Sequence, residues 1–302
     1  MKVRGIMNRK QKKIKRMLKP VIDTINSVPE GKKIPSEWSA PKGYKLEKIE
    51  VEGVEVEHLI PEVKKTDKVI VQLHGGAYIL AFIDCYREAA VQYSNIAEGA
   101  EVYSIDYRIA PDNLFPSALE DSVKVYKWIL AQGHKNDDIL IIGDSAGGNL
   151  ALSTTLYLRD KKLPLPKGVI LLSPWADIDN NPFSRKKNKY KDLVLGVNAL
   201  NMRKEVKDST YAKDANKKDS YVSPYYGDFK GFPNLLIQVG SYEILLDDSL
   251  EVAKKARKSG VRVTQTTYKE MSHDFQLLLP TLRESKAAWK EMGVFIRDVF
   301  KK

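Results

Sequence analysis

The amino-acid sequence predicts an α/β fold in which helices cover both faces of a largely parallel β-sheet. Short apolar runs rich in Val and Ile alternate along the chain with longer stretches of helical periodicity. Because most of these runs show no polar alternation, they are typical of strands covered on both faces. One run leads directly into a glycine-flanked serine, Ser145, and from there into a helix.

The predicted strands and helices follow one another from residue 48 onwards. Residues 48–60 alternate apolar and polar side chains and turn near Gly53, which predicts a half-buried strand pair. Buried strands are predicted at residues 68–73, 101–105, 139–142, 168–172, 235–239 and 261–268. Helices are predicted between them at residues 87–97, 117–131, 146–159, 248–258 and 284–299.

Two segments depart from this alternation. Residues 14–25 carry apolar side chains at helical spacing, and Pro20 is expected to kink or divide that helix. Residues 177–226 are rich in Asn, Lys, Pro and Tyr, with one weak helical patch at 193–206. A long interruption of this kind is usually an insertion packed over one end of the sheet. We therefore expect residues 1–40 to form an N-terminal cap segment and residues 41–302 the core, with a cap insertion at about 177–226.

The formal charge of +11 is concentrated at one end of the chain. Residues 1–20 hold nine of the 50 Lys and Arg and no acid, which leaves 41 basic against 39 acidic residues elsewhere. Charge confined to one short segment argues against a nucleic-acid partner. A surface helix that covers the core is the favoured interpretation of this segment, and contact with an anionic membrane surface is the second hypothesis.

The sequence also bears on compartment. No apolar run reaches the length of a secretory signal or a membrane span. Cys85, the single cysteine, excludes an intramolecular disulfide and fits a reducing compartment, so a cytoplasmic location is expected. We interpret Cys85 as a buried apolar side chain, because no neighbour in the sequence would lower the pKa of its thiol.

The most specific motif is the segment Gly143–Gly147, which reads Gly-Asp-Ser-Ala-Gly. It matches G-x-S-x-G between a buried strand and a helix, where the tight turn requires small flanking residues and presents the serine hydroxyl at the carboxyl end of the sheet. The helix amino terminus offers free N–H groups to a developing oxyanion. This context predicts that Ser145 is a nucleophile.

A second motif follows the strand at 68–73. His74 is followed by Gly75 and Gly76, and adjacent glycines after a strand can direct consecutive N–H groups into one small space. We predict an oxyanion hole formed by the N–H groups of Gly75, Gly76 and Ala146. The alternative is an ordinary tight turn.

Chain position selects the general base. His58 lies in the alternating strand region, His74 precedes the glycines, and His134 lies in a polar loop on the entry side of a strand. His273 follows the last predicted strand and therefore lies at the same end of the sheet as Ser145. The order serine, acid, histidine along the chain is also one of the known orders of a catalytic triad.

The acid is expected in the loop after the strand at 235–239. Asp248, with Glu251 three residues later, resembles a helix N-cap, and Asp247 either shares that task or lies in the first turn. Glu243 lies nearer the strand end and has no capping role. We favour Glu243 as the acid, with Asp247 as the alternative.

These motifs together resemble the hormone-sensitive-lipase family of carboxylesterases within the α/β-hydrolase superfamily. The segment His74–Ala77 resembles the family's His-Gly-Gly-Gly, residues 143–148 match its Gly-Asp-Ser-Ala-Gly-Gly, and residues 106–118 resemble the segment between them. The resemblance implies a mostly parallel eight-stranded sheet with a helical cap. It also implies that Glu243 is the triad acid, because residues 243–248 resemble the family's Asp-x-Leu-x-Asp-Glu. Ala77 replaces the third glycine but keeps its N–H.

The sequence therefore predicts a serine carboxylesterase that works through an acyl-serine intermediate, and the resemblance implies that its substrates are short- to medium-chain acyl esters. The reaction requires no metal and no cofactor, and the expected partner is a small-molecule ester. The alternatives are a deacetylase of acetylated sugars or xenobiotics, an amidase or lactonase, and a non-catalytic small-molecule receptor of the same fold. Self-association of the chain is an open hypothesis.

Overall fold

The computed structural model describes residues 7–179, 182–197 and 203–301. Its strands form one eight-stranded sheet in the order β1-β2-β4-β3-β5-β6-β7-β8. The strands are β1 (Tyr44–Val51), β2 (Val54–Pro61), β3 (Val69–Leu73), β4 (Glu101–Asp106), β5 (Ile139–Asp144), β6 (Gly168–Leu172), β7 (Asn234–Gly240) and β8 (Val263–Tyr268).

The strands pair antiparallel at one edge of the sheet and parallel in the rest of it. β1 and β2 form an antiparallel hairpin, and β2 pairs antiparallel with β4. The remaining pairs are parallel. Every residue of β3, β5 and β6 is buried, which explains why their sequences lack polar alternation. The predicted α/β class with a mostly parallel eight-stranded sheet is confirmed.

Helices precede, connect and follow these strands along the chain. They are α1 (Arg9–Asn26), α2 (Asp84–Ile96), α3 (Ser117–Ala131), α4 (Ser145–Asp160), α5 (Ser184–Lys187), α6 (Arg203–Lys207), α7 (Leu246–Lys258), α8 (Phe275–Leu278) and α9 (Arg283–Phe300). In the parts of the chain that the structure describes, no helix combines the length and the apolar character needed to cross a membrane.

Helices pack on both faces of the sheet. On one face α3, α4 and α7 bury an apolar cluster that includes Tyr126, Leu150 and Val252. On the other face α2 and α9 bury a second cluster, with Tyr93 and Met292 among its members. The sheet is thereby fixed from both sides, and the loops at the carboxyl ends of its strands are left to carry a site.

Helix α1 is attached to a distant part of the chain. Its apolar stripe, Ile14 and Leu18, is buried against the first cluster. Next to that stripe, Gln11 donates through Nε2 to the backbone oxygen of Glu270 at 2.9 Å, and Lys10 forms an ion pair with Glu284 at 2.7 Å. The helix continues through Pro20, so Pro20 does not divide it, and a kink at Pro20 stays a prediction.

The helical patch predicted at 193–206 is confirmed at its end and wrong at its start. Residues 193–197 form turns, residues 198–202 lie outside the described residues, and only α6 is helical. The physical reason is local. The carboxylate of Asp192 accepts the N–H groups of Val194 and Leu195 at 3.0 and 3.1 Å, which gives that backbone an alternative to a helix. The division of the chain into a core and two cap segments stays a prediction.

Candidate active site

Ser145 lies at the junction of β5 and α4, in a turn that only glycine neighbours permit. Its φ of 50° is in the left-handed region, which is strained for a serine. A Cβ on Gly147 would lie 2.0 Å from the carbonyl oxygen of Leu73, and a Cβ on Gly143 would lie 2.2 Å from that of Gly147. The turn presents the Ser145 hydroxyl at the carboxyl end of the sheet.

His273 and Glu243 meet Ser145 at this end of the sheet. Nε2 of His273 lies 2.9 Å from Oγ of Ser145, and Nδ1 lies 3.2 Å from Oε2 of Glu243. The three side chains come from loops after β5, β7 and β8, whose carboxyl ends share one edge of the sheet. The structure therefore brings together the serine, the histidine and the carboxylate that the sequence singled out.

The Glu243 carboxylate is fully buried and firmly held. Its Oε1 accepts hydrogen bonds from the hydroxyl of Ser173 at 2.8 Å and from the N–H of Gly240. Burial raises the pKa of Glu243 to about 7, although the hydrogen bond and charge of His273 pull it down. The two anchoring donors leave Oε2 to face the imidazole.

Asp247 and Asp248 are turned away from the histidine towards the inserted segment. α7 begins at Leu246, so both lie in its first turn, and the prediction that Asp248 is an N-cap is wrong. Asp248 accepts the N–H of Asp177 at 2.9 Å and forms an ion pair with Arg185 at 3.1 Å. Asp247 accepts the N–H of Ser184 at 2.7 Å. Partners in the insertion thus use both carboxylates.

In the loop after β3, one of the predicted oxyanion donors, the N–H of Gly75, has a partner within the protein. The N–H of Gly75 donates to Oδ1 of Asp144 at 3.0 Å and is therefore committed within the protein. The N–H groups of Gly76, Ala77 and Ala146 have no acceptor among the residues that the structure describes. Ala77 has a φ of 55°, a conformation that its alanine side chain did not signal.

His74 supports this loop from below. It is fully buried and stacks on Tyr107 with 4.2 Å between ring centroids, and its Nδ1 lies 2.7 Å from the backbone oxygen of Gly75. Burial lowers the pKa of His74 below its ordinary value, so the ring stays neutral. These contacts fix His74 against the loop that follows β3.

Asp274 is a component of the site that the sequence reasoning missed. Its Oδ2 lies 2.9 Å from Nε2 of His273, the nitrogen that also faces Ser145. Burial alone would lower the pKa of His273, but the carboxylates of Asp274 and Glu243 raise it well above 6.5. The only available signal was an acid directly after the candidate base, and adjacency in sequence does not fix the direction of a side chain.

A narrow cavity reaches these groups from outside. Its walls come from several parts of the chain and include Ile25, Leu80, Ile83, Val194, Leu277 and Leu278. It shares Ile25, Ile83 and Leu277 with an adjoining apolar cavity of about 390 Å³. Ile25 belongs to α1 and Val194 to the insertion, so both predicted cap segments contribute to the walls.

Comparison with known proteins agrees with this architecture. A family described by the α/β hydrolase fold matches residues 70–277. An acetyl-hydrolase of Streptomyces hygroscopicus is 34% identical over 234 residues, which cover 78% of this chain and 77% of that protein. An esterase of Acinetobacter venetianus is 34% identical over 247 residues, or 82% of this chain and 80% of that protein.

A solved structure gives the same result for the whole chain. The crystal structure of an esterase from the bacterial hormone-sensitive lipase family superposes with a TM-score of 0.82 at 29% sequence identity. The match covers 98% of this chain and 100% of that one. The similarity therefore includes the parts of the chain that lie outside the matched family region.

Proposed function

The chain belongs to the hormone-sensitive-lipase family of carboxylesterases, within the α/β-hydrolase fold, and we propose that it hydrolyses short- to medium-chain acyl esters through an acyl-serine intermediate. It is a carboxylic-ester hydrolase. One observation carries the proposed mechanism. Oγ of Ser145 and Oε2 of Glu243 lie within 3.2 Å of the two ring nitrogens of the same imidazole.

Acylation begins when Oγ of Ser145 attacks the ester carbonyl and Nε2 of His273 takes its proton. Glu243 accepts the Nδ1–H of His273, which fixes the tautomer and stabilises the imidazolium. We assign the oxyanion to the N–H groups of Gly76, Ala77 and Ala146, because they are uncommitted, and each such donor can lower the barrier by roughly 3 kcal/mol.

The second half of the cycle reverses these proton transfers. The bond between the carbonyl carbon and the alcohol oxygen breaks, and His273 donates its proton to that oxygen. His273 then takes a proton from a water molecule, whose oxygen attacks the acyl carbon. The bond between that carbon and Oγ of Ser145 breaks, the acid leaves, and His273 returns the proton to Oγ. The scheme uses neither a metal nor a cofactor, since one imidazole carries every proton.

The acyl preference is proposed from the cavity walls. The narrow space beside Ser145 shares wall residues with an apolar cavity of about 390 Å³, a volume within the range of small-ligand sites. Such a space fits an acyl chain of short or medium length. The name of the acetyl-hydrolase relative favours a second candidate, removal of acetyl groups from sugars or xenobiotics. Hydrolysis rates over p-nitrophenyl acetate, butyrate, octanoate and acetylated sugars separate the two.

The nucleophile is tested by Ser145→Ala, with Ser259→Ala at the end of α7 as a matched serine control. We expect Ser145→Ala to lose burst acylation and to fall in kcat by several orders of magnitude, because the acyl acceptor is gone. Ser259→Ala should keep wild-type turnover. A fluorophosphonate probe should label wild type on residue 145 only. Turnover by Ser145→Ala, or a wild type inert to both esters and probe, would contradict the mechanism and favour a receptor.

The basic face of α1 supports a separate proposal, contact with an anionic membrane surface. Lys12, Lys13, Lys15 and Arg16 are exposed on one helix whose opposite side lines the apolar cavity through Val21 and Ile25. Sedimentation with anionic and neutral vesicles tests it. Replacing the four cations by Gln should abolish binding to anionic vesicles, and high salt should weaken it. Equal sedimentation with both vesicle types would refute the contact.

A further inference from the structure

We infer that Asp274 forms a subsite beside Ser145 that accepts a hydrogen bond from a hydroxyl group on the alcohol part of the ester. The substrate class that fits is a monoester of a vicinal diol, in which the carbon next to the ester oxygen's own carbon carries a free hydroxyl. The inference rests on the proposed mechanism, because it uses the place where His273 must deliver its proton.

The Asp274 carboxylate has hydrogen-bonding capacity that the protein does not use. The residue is only 7% exposed, yet Oδ1 has no hydrogen-bond partner among the described residues. A buried carboxylate oxygen without a donor costs free energy, and a group of this kind calls for an explanation. Oδ2 is close to the imidazole, and the side chain lines the same narrow cavity as Ser145.

The backbone at Asp274 is held in an unusual conformation. Its φ of 49° is in the left-handed region. The N–H of Asp274 donates to Oγ of Ser173 at 3.3 Å, and Ser173 in turn donates to Glu243. The serine that anchors the triad acid thus also anchors Asp274. Strain of this kind persists where the surroundings fix it and is concentrated at functional sites.

Geometry places this carboxylate on the alcohol side of the ester. During acylation the departing oxygen must come within hydrogen-bonding distance of Nε2 of His273, because that nitrogen donates the proton. Oδ2 of Asp274 is 2.9 Å from the same nitrogen. The leaving oxygen and the Asp274 carboxylate are therefore both close to Nε2 of His273. A hydroxyl on the carbon next to the one that bears the ester oxygen is the nearest donor that a substrate can offer to this carboxylate.

The surroundings favour a hydroxyl over the other groups that a substrate could bring. The cavity that Asp274 lines also has apolar side chains in its walls, with Ile83 and Leu277 among them, so a hydrated ammonium would lose much of its solvation there. An anionic group would meet Asp274 and the nearby carboxyl of Asp144. A methyl group would leave the carboxylate unpaired, which is how a polar site rejects apolar analogues.

A matched pair of esters tests the subsite. 2-Hydroxypropyl butyrate and 2-methylpropyl butyrate differ only in a hydroxyl that replaces a methyl group. We expect wild type to prefer the hydroxy ester by about tenfold or more in kcat/KM, as for a hydrogen bond to a charged group. In Asp274→Leu, which has a similar shape and no acceptor, the preference should disappear. Asp274→Asn, which tolerates left-handed backbone, should keep only part of it.

The controls separate this inference from the mechanism and from folding. Each variant is assayed at its own optimal pH, and fluorophosphonate labelling of Ser145 reports an intact site. If Asp274 had a merely structural role, its replacement would lower kcat/KM equally for the hydroxy ester and the methyl ester. The ratio of the two values would then be unchanged, and this result would overturn the subsite. A comparison of choline butyrate with 3,3-dimethylbutyl butyrate tests whether the subsite binds a cation. A preference for the choline ester without a preference for the hydroxy ester would also overturn the subsite. If wild type hydrolysed none of these esters, the proposed function itself would fail.

Discussion

Gly75 donates its backbone N–H to the carboxylate of Asp144, with 3.0 Å between the nitrogen and Oδ1. The residue that precedes the serine therefore holds the start of the loop that carries the uncommitted N–H groups. Oδ2 of Asp144 accepts the hydroxyl of Tyr86 at 3.2 Å, which fixes the carboxylate in turn. Two separate segments of the site are joined by this one side chain.

Replacing Asp144 by Ala should lower kcat by about a hundredfold, because a shift of about 1 Å in the loop displaces the oxyanion donors. KM should change less, since the apolar walls remain. Tyr86→Phe removes one of the two bonds and should cost less than tenfold. Steady-state kinetics on p-nitrophenyl butyrate gives both values. Wild-type kcat in Asp144→Ala would mean that the loop holds its shape without this carboxylate.

Glu243→Gln should lower kcat by about 10³- to 10⁴-fold while the protein stays folded, because the amide no longer stabilises the imidazolium or fixes its tautomer. Asp247→Asn is the matched control, since the Asp247 carboxylate accepts the N–H of Ser184 instead. That variant should stay within about threefold of wild type. Kinetics together with thermal unfolding decides between them, and the reverse ranking would identify Asp247 as the acid.

The pH dependence follows from the two carboxylates at the imidazole. Burial opposes the charge on His273, but Asp274 and Glu243 outweigh it and raise the pKa of His273 above 6.5. The reaction needs neutral His273, so kcat/KM should rise with pH through that pKa, and the acid limb of the profile should lie above pH 6.5. Asp274→Asn removes one carboxylate and should move the limb to lower pH. If the acid limb of the wild-type profile lay at or below pH 6.5 and did not move in Asp274→Asn, the two carboxylates would not be what sets the pKa of His273.

Gly147→Ala should abolish activity and destabilise the fold, because the added Cβ would lie 2.0 Å from the carbonyl oxygen of Leu73, and backbone cannot give way cheaply. Gly133→Ala is the control. A Cβ there meets nothing within 4 Å, and the φ of 96° leaves only a backbone penalty, of the order of 1 kcal/mol. Urea unfolding and kinetics measure both. Equal effects of the two substitutions would show that the close approach of Leu73 to position 147 does not restrict which residue is tolerated there.

Glu57→Gln should cost about 3–5 kcal/mol of unfolding free energy, because it leaves the Arg87 guanidinium buried without its main partner. Nε and Nη2 of Arg87 lie 2.7 and 2.6 Å from the Glu57 carboxylate, and both side chains are about nine-tenths buried. Asp23→Asn, in the exposed pair with Lys19, should cost less than about 1 kcal/mol. Urea denaturation at low salt compares them. Similar losses would mean that burial does not decide the strength of these pairs.

The sequence was most informative where neighbouring residues determine the geometry. The turn at Ser145 between β5 and α4 was predictable because the strand, the glycines and the helix are contiguous and leave the chain few conformations. His273 was predictable because the carboxyl ends of parallel strands lie at one edge, so order along the chain fixes the side of the sheet. α3 was predicted with the same bounds because its periodicity and its flanking Pro116 are both local signals.

The sequence was least informative where the partner of a group is far away. The N–H of Gly75 is used by Asp144, 69 positions later, and no pattern around the glycines indicates that pairing. Asp248 has the surroundings of a capping residue, but Arg185 and the backbone of Asp177 compete for its carboxylate. The direction of Asp274 depends on a left-handed φ that its residue type permits without requiring.

The attachment of α1 to Glu270 and Glu284 has a consequence for biosynthesis. These contacts join positions separated by 259 and 274 residues, so the helix is made long before the segment on which it docks. Until that segment has been translated, the apolar stripe of α1 has no complete surface to cover. A nascent chain thus carries an amphipathic helix without these partners while the residues between Gln11 and Glu270 are translated, and the cavity wall that Ile25 and Leu277 share is incomplete during that time.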